Sequence, residues 1–172
     1  MTETEEKVIE ARKWILEHGK GRKQKAISEN DCLNLLSILS GHPPLKIMEI
    51  GTWYGTSAMV AVHAGHEVWT CDKHNEFIYS HDNIHYYNML STDFLNKMKK
   101  KKIIFDAAFI DGRLPNSDVK LFVKLMKPGS IIIAHDCFGK EKGVRNFIKL
   151  SRYISEVREV CGMGVALIRM SK

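Results

Sequence analysis

Short apolar runs and amphipathic stretches alternate along most of the chain. Buried apolar runs predict seven strands, at 46–50, 67–72, 84–88, 102–111, 131–136, 153–160 and 165–170. Apolar residues at helical spacing predict helices at 3–18, 29–40, 56–64 and 118–126, and further helices that begin near 94 and 144. A glycine turn at 162–164 joins the last two strands. This alternation predicts an α/β domain with a mostly parallel sheet and helices on both faces.

Two helices precede the first strand. Val8, Ala11 and Ile15 form an apolar stripe on the first helix, and Ser28 with Asp31 predicts a capping box at the start of the second. A chain of 172 residues suits one domain with a substantial core. We therefore interpret 1–172 as a single domain, with cover helices in 1–44 and the α/β core in 45–172.

The composition is ordinary for a soluble globular protein, with 44% hydrophobic and 27% charged residues. No run approaches the ~18 apolar residues of a membrane span, and the acidic, polar stretch 1–6 does not resemble a secretory signal. The four cysteines form no CxxC pair, which argues against a zinc site and fits reduced thiols. They are Cys32, Cys71, Cys137 and Cys161. We expect a cytoplasmic protein that does not act at a membrane.

The formal charge of +6 is concentrated in two basic segments, 20–25 and 97–102. A basic segment can contact nucleic acid or another polyanion. The alternative is a solvated helix end, because cations are favoured at helix C-termini. The second segment follows a predicted helix, which favours the alternative there.

The stretch 46–58 predicts a buried strand, a glycine turn and the start of a helix. Gly51 follows the strand directly, and Gly55 falls where the helix begins. Gly51 can adopt an unusual φ and lets a ligand approach, while a helix start presents unpaired N–H groups and a positive dipole end. Glu49, an acid within the apolar strand, is expected to accept hydrogen bonds from the turn or from a ligand. The alternative is a tight turn that binds nothing.

Acidic residues stand at the ends of three predicted strands. Asp72 lies about twenty residues beyond the glycine turn, where a carboxylate can accept bonds from both hydroxyls of a ribose; the alternative is a cap for the following turn. Asp111 and Asp136 end two neighbouring parallel strands, at the edge where α/β sheets bind ligands. His135 or Asp136 is a candidate general base for a substrate hydroxyl. The alternative for His135 is a hydrogen-bonded residue at a strand end.

Two stretches resemble a known family. The residues from Glu49 to Ser57 are similar to motif I of the class I S-adenosylmethionine-dependent methyltransferases, with Trp53 at the place of the middle glycine. The stretch from Phe105 to Gly112 resembles a signature of small, class-24 O-methyltransferase-like proteins. The final strand pair is typical of the methyltransferase sheet and not of the NAD-type Rossmann sheet. The resemblance covers about 45–170 and implies a Rossmann-like, seven-stranded, mostly parallel sheet with an antiparallel C-terminal strand pair.

The resemblance implies S-adenosylmethionine as the cofactor. Glu49 and the turn from Gly51 to Gly55 would hold its methionine part, Asp72 would hold the ribose, and the N-terminal helices would cover the cleft. Leu90 and Ser91, by position, would flank the adenine. The cofactor candidates at the turn and the strand ends are Glu49, Gly51, Thr52, Trp53, Tyr54, Gly55, Ser57, Asp72, Leu90, Ser91 and Asp111.

In metal-dependent relatives, acids that match Asp111 and Asp136 bind a divalent cation, and an Asn stands where this chain has Cys137. Oxygen ligands suit Mg²⁺. We predict no metal ligand and retain Mg²⁺ as an alternative.

The implied reaction is methyl transfer to a hydroxyl, or less readily an amine, of a small-molecule or sugar-like acceptor. Asp111, His135 and Asp136 would line the reacting end. The other functions that we consider are a non-catalytic binding module and a nucleotide-cofactor oxidoreductase. Contact with nucleic acid and assembly as a homodimer are retained as hypotheses.

Overall fold

A computed structural model describes residues 1–19, 27–137, 142–160 and 163–168. The strands are β1 Lys46–Ile50, β2 Glu67–Asp72, β3 Ile84–Asn88, β4 Phe105–Ile110, β5 Met126–Ala134, β6 Arg158–Val160 and β7 Met163–Leu167. The helices are α1 Glu3–His18, α2 Glu29–Leu39, α3 Thr56–His63, α4 Ser91–Lys101, α5 Val119–Lys124 and α6 Lys142–Leu150. The strands form one sheet in the order β3-β2-β1-β4-β5-β7-β6.

The first five strands pair in parallel, and β7 pairs antiparallel with both β5 and β6. The predicted seven-stranded sheet with an antiparallel C-terminal pair is confirmed. β1 pairs with β2 on one side and with β4 on the other, so the strand order reverses between β1 and β4. Such a switch point opens a crevice at the carboxyl ends of the strands, where α/β proteins bind ligands.

Helices cover both faces of the sheet, which explains the continuous apolar runs of the central strands. On one face, α1, α2 and α3 surround a core that includes Ile15 and Met59. On the other face, α4, α5 and α6 contribute Phe94, Phe122 and Leu150 to a second core. All five side chains are buried. The two cores fix the sheet between them.

The predicted capping box of α2 is confirmed. Asp31 N–H donates to Ser28 Oγ at 3.1 Å, and Ser28 N–H donates back to Asp31 Oδ2 at 3.2 Å. The two reciprocal bonds satisfy N–H groups that a helix start leaves unpaired. They also fix the position of the Asp31 carboxylate, which matters for the site described below.

Several predicted boundaries were wrong. β4 ends at Ile110, one residue earlier than predicted, and α6 begins at Lys142, two residues earlier. β5 begins at Met126 and includes 127–130, which lie between our predicted helix at 118–126 and our predicted strand at 131–136. That stretch is held by hydrogen bonds between Gly129 N–H and Ile168 O and between Ile168 N–H and the carbonyl of residue 130, so it belongs to the sheet. Partners distant in sequence decide this assignment.

The basic segment 20–25 lies outside the described residues. In the other segment, Lys99, Lys100 and Lys101 form the last turn of α4, the placement that the helix dipole favours. Lys97 and Lys101 also lie over the ring of Tyr87, so the solvated-helix-end alternative describes this segment. Within the described part of the chain, no helix is long and apolar enough to cross a membrane.

The exits of β1 and β4 touch at Gly51. This residue has φ +98°, and a Cβ there would lie 2.5 Å from Gly112 N and 2.9 Å from the carbonyl carbon of Asp111. Both the backbone conformation and the close approach of the β4 exit require a glycine. The contacts that require a glycine at position 51 are with the protein itself. The expectation that Gly51 also lets a ligand approach therefore stays a prediction.

We predict that Gly51→Ala destabilises the domain more than Gly65→Ala does. Gly65 has φ +91° but nothing within 4 Å of its Cβ position, so it isolates the cost of the left-handed backbone. We expect a loss of about 1 kcal/mol in the free energy of unfolding for Gly65→Ala and about 2–4 kcal/mol for Gly51→Ala, measured by urea denaturation. Equal losses would contradict the strand-exit contact.

Candidate functional site

The exits of β1, β4 and β5 meet at one edge of the sheet. The N–H groups of Asp111 and Gly112 both donate to Ile50 O, at 3.0 and 2.6 Å, and His135 N–H donates to Ile110 O at 3.2 Å. These bonds extend the strand pairing beyond the strands themselves. They bring Asp111 beside the glycine turn on one side and His135 on the other.

Asp72 ties the glycine turn to the exit of β2. Its Oδ2 accepts from Trp53 N–H at 3.0 Å, and its Oδ1 accepts from His74 N–H at 2.9 Å. Trp53 stands at the place of the middle glycine with φ 49°, and the Asp72 bond supports this left-handed conformation. The His74 bond is the turn-capping contact that we considered as the alternative role. Carboxylate oxygens hold further lone pairs, so Asp72 can still accept ligand hydroxyls.

Glu49 lies beneath the turn and is 1% exposed. Its carboxylate accepts hydrogen bonds from the hydroxyls of Ser57 on α3 and Thr70 on β2. Burial raises the pKa of Glu49 to about 7, although both hydroxyl contacts act in the opposite direction. We expected Glu49 to accept hydrogen bonds from the turn or from a ligand, but the donors that the structure shows lie on α3 and β2, on either side of the turn. Glu49 therefore positions the turn by joining β1, β2 and α3.

Other cofactor candidates of the turn have enclosed side chains. Thr52, Tyr54 and Ser57 are all buried. Gly55 has φ +91°, and a Cβ there would lie 2.6 Å from the ring of Phe77. In this arrangement a ligand can meet these residues through their backbone only.

Leu90 and Ser91 follow β3 and lie close to Asp72, since Met89 N–H donates to Asp72 O at 2.9 Å. Leu90 is 57% exposed. Ser91 Oγ donates to Asp118 Oδ2 at 3.1 Å, so its hydroxyl is engaged with α5. Leu90 is the residue of this pair that offers an uncommitted apolar surface beside Asp72.

Five charged or titratable side chains meet where β4 and β5 end, and we call them the strand-end cluster. They are Asp31, Asp111, His135, Asp136 and Lys142. His135 Nδ1 lies 3.3 Å from Asp111 Oδ1 and 3.2 Å from Asp136 Oδ1, and its Nε2 lies 3.4 Å from Asp31 Oδ2. Lys142 Nζ lies 2.7 Å from Asp111 Oδ1 and 3.1 Å from Asp136 Oδ2. The three predicted catalytic residues are thus neighbours.

The cluster holds its cations in the charged form. Burial by itself lowers the pKa of His135, but the carboxylates of Asp111, Asp136 and Asp31 outweigh burial and raise the pKa to about 9. Burial also lowers the pKa of Lys142, and Asp111 and Asp136 more than reverse it. At neutral pH the cluster is therefore an imidazolium and an ammonium among three carboxylates. A protonated His135 cannot accept a proton, which leaves Asp136 of the two candidate bases that we predicted.

Sequence reasoning missed two members of the cluster. Asp31 is predicted only as a capping residue of α2, and Lys142 lies just before the helix that is predicted to begin near 144. Nothing in their local sequence signals a site, because Asp31 is a common capping residue and Lys142 stands in a stretch of several charged residues. Their spacing along the chain is large, and the fold alone brings them to Asp111.

A family model described as a methyltransferase domain matches residues 48–137. The match spans the sheet from within β1 to the end of β5, and includes the glycine turn and both strand-end acids. The chain belongs to this family. The resemblance to the class I S-adenosylmethionine-dependent methyltransferases is confirmed. A comparison with curated protein sequences gives no match.

Solved methyltransferases share the fold of this methyltransferase domain at low identity. An O-methyltransferase from Bacillus cereus in complex with SAH is 17% identical, with TM-score 0.64 over 98% of this chain and 92% of that one. The O-methyltransferase TomG from Streptomyces achromogenes in complex with SAM is 16% identical, with TM-score 0.68 over 99% and 91%. The tRNA (m1A58) methyltransferase TrmI from Aquifex aeolicus is 18% identical, with TM-score 0.67 over 94% and 76%.

The methyltransferase domain does not fit the divalent cation of the metal-dependent relatives. Asp111, His135 and Asp136 each offer one ligand atom, and these atoms lie within 4.8 Å of one another. However, the ammonium of Lys142 already contacts both carboxylates. Cys137 replaces the Asn ligand, and its thiol donates to Ala134 O at 3.3 Å. Burial raises the pKa of this thiol, which leaves a protonated sulfur that suits a hard cation poorly.

We predict that Glu49→Gln flattens the pH dependence of stability in the acid range. The folded state keeps a proton on Glu49 that the unfolded chain releases above pH 4.5. As pH rises from 4.5 to about 7, the free energy of unfolding of wild type should therefore fall relative to that of the variant. The expected difference is on the order of 3 kcal/mol.

Urea denaturation across this pH range measures the difference between the two proteins. Glu10→Gln, at an exposed position on α1, is the control and should keep the wild-type profile. Parallel profiles for wild type and Glu49→Gln would show that Glu49 is ionised in the folded state throughout.

Proposed function

We propose that this methyltransferase domain transfers a methyl group from S-adenosylmethionine to a hydroxyl of a small-molecule acceptor. The observation that carries the proposal is the contact of the glycine turn with the strand-end cluster. Gly51 touches the backbone of Asp111, and Asp111 lies 3.3 Å from His135. A ligand on the turn would thus have its reacting end beside the charged cluster.

Features on the cofactor side suit an adenosyl group. Asp72, the partly exposed Trp53 and the exposed Leu90 stand together at the exits of β1, β2 and β3. A carboxylate accepts two bonds from a vicinal diol, and the two apolar side chains can contact a purine. The O-methyltransferase from B. cereus in complex with SAH and TomG in complex with SAM support the same cofactor for this fold.

The strand-end cluster favours an oxygen acceptor. When bound, S-adenosylmethionine would supply a methyl group on a positively charged sulfur. The bond from that carbon to sulfur would break as the acceptor oxygen bonds to the carbon, with S-adenosylhomocysteine as the leaving group. The chain's own contribution is alignment and removal of the hydroxyl proton. Asp136 suits the base, because its side chain is 37% exposed against 18% for Asp111. The Lys142 ammonium and the His135 imidazolium favour the negative charge that develops on oxygen, and disfavour a protonated amine.

Three other functions remain distinct hypotheses. A binding module is favoured by Trp53 in the glycine turn and by Cys137 after the second acid. An oxidoreductase would bind NADH in preference to S-adenosylmethionine, and the antiparallel C-terminal pair argues against it. A nucleic-acid acceptor is suggested by the likeness to the tRNA methyltransferase from A. aeolicus.

We expect Asp72→Ala to weaken the binding of S-adenosylmethionine and S-adenosylhomocysteine by about 100-fold, because two hydrogen bonds to a charged group are lost. Calorimetric titration measures both affinities, with NADH as the competing candidate. Asp82→Ala, at an exposed position in the segment between β2 and β3, is the matched control and should bind like wild type. Unchanged affinity in a folded Asp72→Ala protein would remove the ribose assignment.

We expect Asp136→Asn to lower methyl transfer by about 100-fold or more while cofactor affinity changes little, since a general base contributes at this scale. The assay follows a labelled methyl group into a panel of phenols, sugars, amines and tRNA. Asp82→Asn serves as the control. Transfer to amines or tRNA alone would replace the hydroxyl acceptor, and binding without any transfer would favour the binding module.

A further inference from the structure

The ammonium of Lys142 lies between the two acids that end β4 and β5. Its Nζ is 2.7 Å from Asp111 Oδ1 and 3.1 Å from Asp136 Oδ2, so one cation bridges carboxylates from neighbouring strands. His135 adds a second contact to each of the same carboxyl groups. The arrangement places positive charge where the metal-dependent relatives would place a divalent ion.

The first turn of α6 is pressed against the end of β5, which places Lys142 beside the acids. A Cβ on Gly143 would lie 2.2 Å from His135 O and 2.7 Å from Asp136 O, so this position has no room for a side chain. Gly143 N–H also donates to Asp136 O at 3.2 Å. Asp136 itself has φ 54°, a left-handed conformation that Asp adopts more readily than most residues.

Further along α6, two side chains bind the loop that carries Asp111. Asn146, which is buried, donates to Gly112 O at 2.8 Å and accepts from Leu114 N–H at 3.1 Å. Lys149 Nζ donates to Leu114 O at 2.6 Å. The helix that begins with Lys142 is therefore attached to both strand exits, and the placement of the ammonium does not depend on the long lysine side chain alone.

A divalent cation would meet unfavourable neighbours here. It would have to displace an ammonium and lie beside an imidazolium, and like charges this close repel strongly in a partly buried site. Cys137, the residue after Asp136, carries a thiol that donates to Ala134 O, whereas a hard cation prefers oxygen ligands. The residues are thus arranged around a fixed side-chain cation.

We propose that the Lys142 ammonium takes the place of the divalent cation, so that the strand-end cluster is complete without metal and rejects Mg²⁺. The ammonium balances Asp111 and Asp136 and faces the acceptor oxygen. Only this last role rests on the proposed function. The replacement of the metal by a lysine is tested by ion binding to the protein alone.

Mn²⁺ binding, followed by electron paramagnetic resonance in the absence of cofactor and acceptor, tests the proposal. Mn²⁺ prefers the same oxygen ligands as Mg²⁺ and is detected directly. Wild type should bind Mn²⁺ no more tightly than Asp136→Asn does. Lys142→Met, which keeps the aliphatic stem and removes the charge, should bind at least about tenfold more tightly than wild type.

Three variants show whether the gain belongs to this site. Lys142→Arg keeps the cation and should bind like wild type. Arg145→Met removes one charge from an exposed position on the same helix and should also bind like wild type. Adding Asp136→Asn to Lys142→Met should abolish the gain.

The proposal is overturned if wild type binds one Mn²⁺ tightly and Asp136→Asn does not, a result that needs no Lys142 variant to fold. It is also overturned if folded Lys142→Met binds no better than Arg145→Met. Titration of the same proteins with S-adenosylmethionine tests the proposed function separately. If wild type does not bind this cofactor, the proposed function is refuted and the Mn²⁺ result is unaffected.

Discussion

The close approach of the β1 and β4 exits at Gly51 is the contact on which the site depends. The backbone of Gly112 fills the space that a Cβ would need at Gly51, so two neighbouring parallel strands end in direct contact at the switch point of the sheet. Asp111 directly precedes Gly112 in the chain and so lies at that contact. The glycine turn and the acidic end of β4 therefore form one continuous surface, where cofactor and acceptor could be held within bonding distance.

Two acidic residues near this surface, Glu49 and Asp111, have different roles because their surroundings differ. Glu49 is sealed beneath the turn and accepts from two hydroxyl groups, and burial is the larger effect, so its pKa is raised to about 7. Asp111 is partly exposed and lies beside His135 and Lys142. One acid joins secondary-structure elements, and the other is the one that we propose for the reacting end. Environment, and not residue type, separates the two roles.

The charges of the strand-end cluster come from four regions of the chain, namely α2, the end of β4, the end of β5 and the start of α6. Paired charges in a partly buried site are stable only while each partner stays in place. The capping box of α2 fixes Asp31, and the bonds of Asn146 hold α6 to the β4 exit. The cluster is consequently a product of helix docking as much as of strand pairing, which explains how a methyltransferase fold can alter this site without altering its sheet.

The sequence by itself determined the elements and the features that are local to them. Seven apolar runs, the glycine turn and the spacing from Gly51 to Asp72 are short-range patterns, because strand burial and turn geometry act over a few residues. The same patterns placed Asp111, His135 and Asp136 at one edge of the sheet. Only the tertiary structure decided what surrounds them. Three features depend on partners that are far apart in sequence, which no local pattern encodes. They are the enclosure of Ser57, the inclusion of 127–130 in β5, and the meeting of Asp31 and Lys142 at one histidine and two acids.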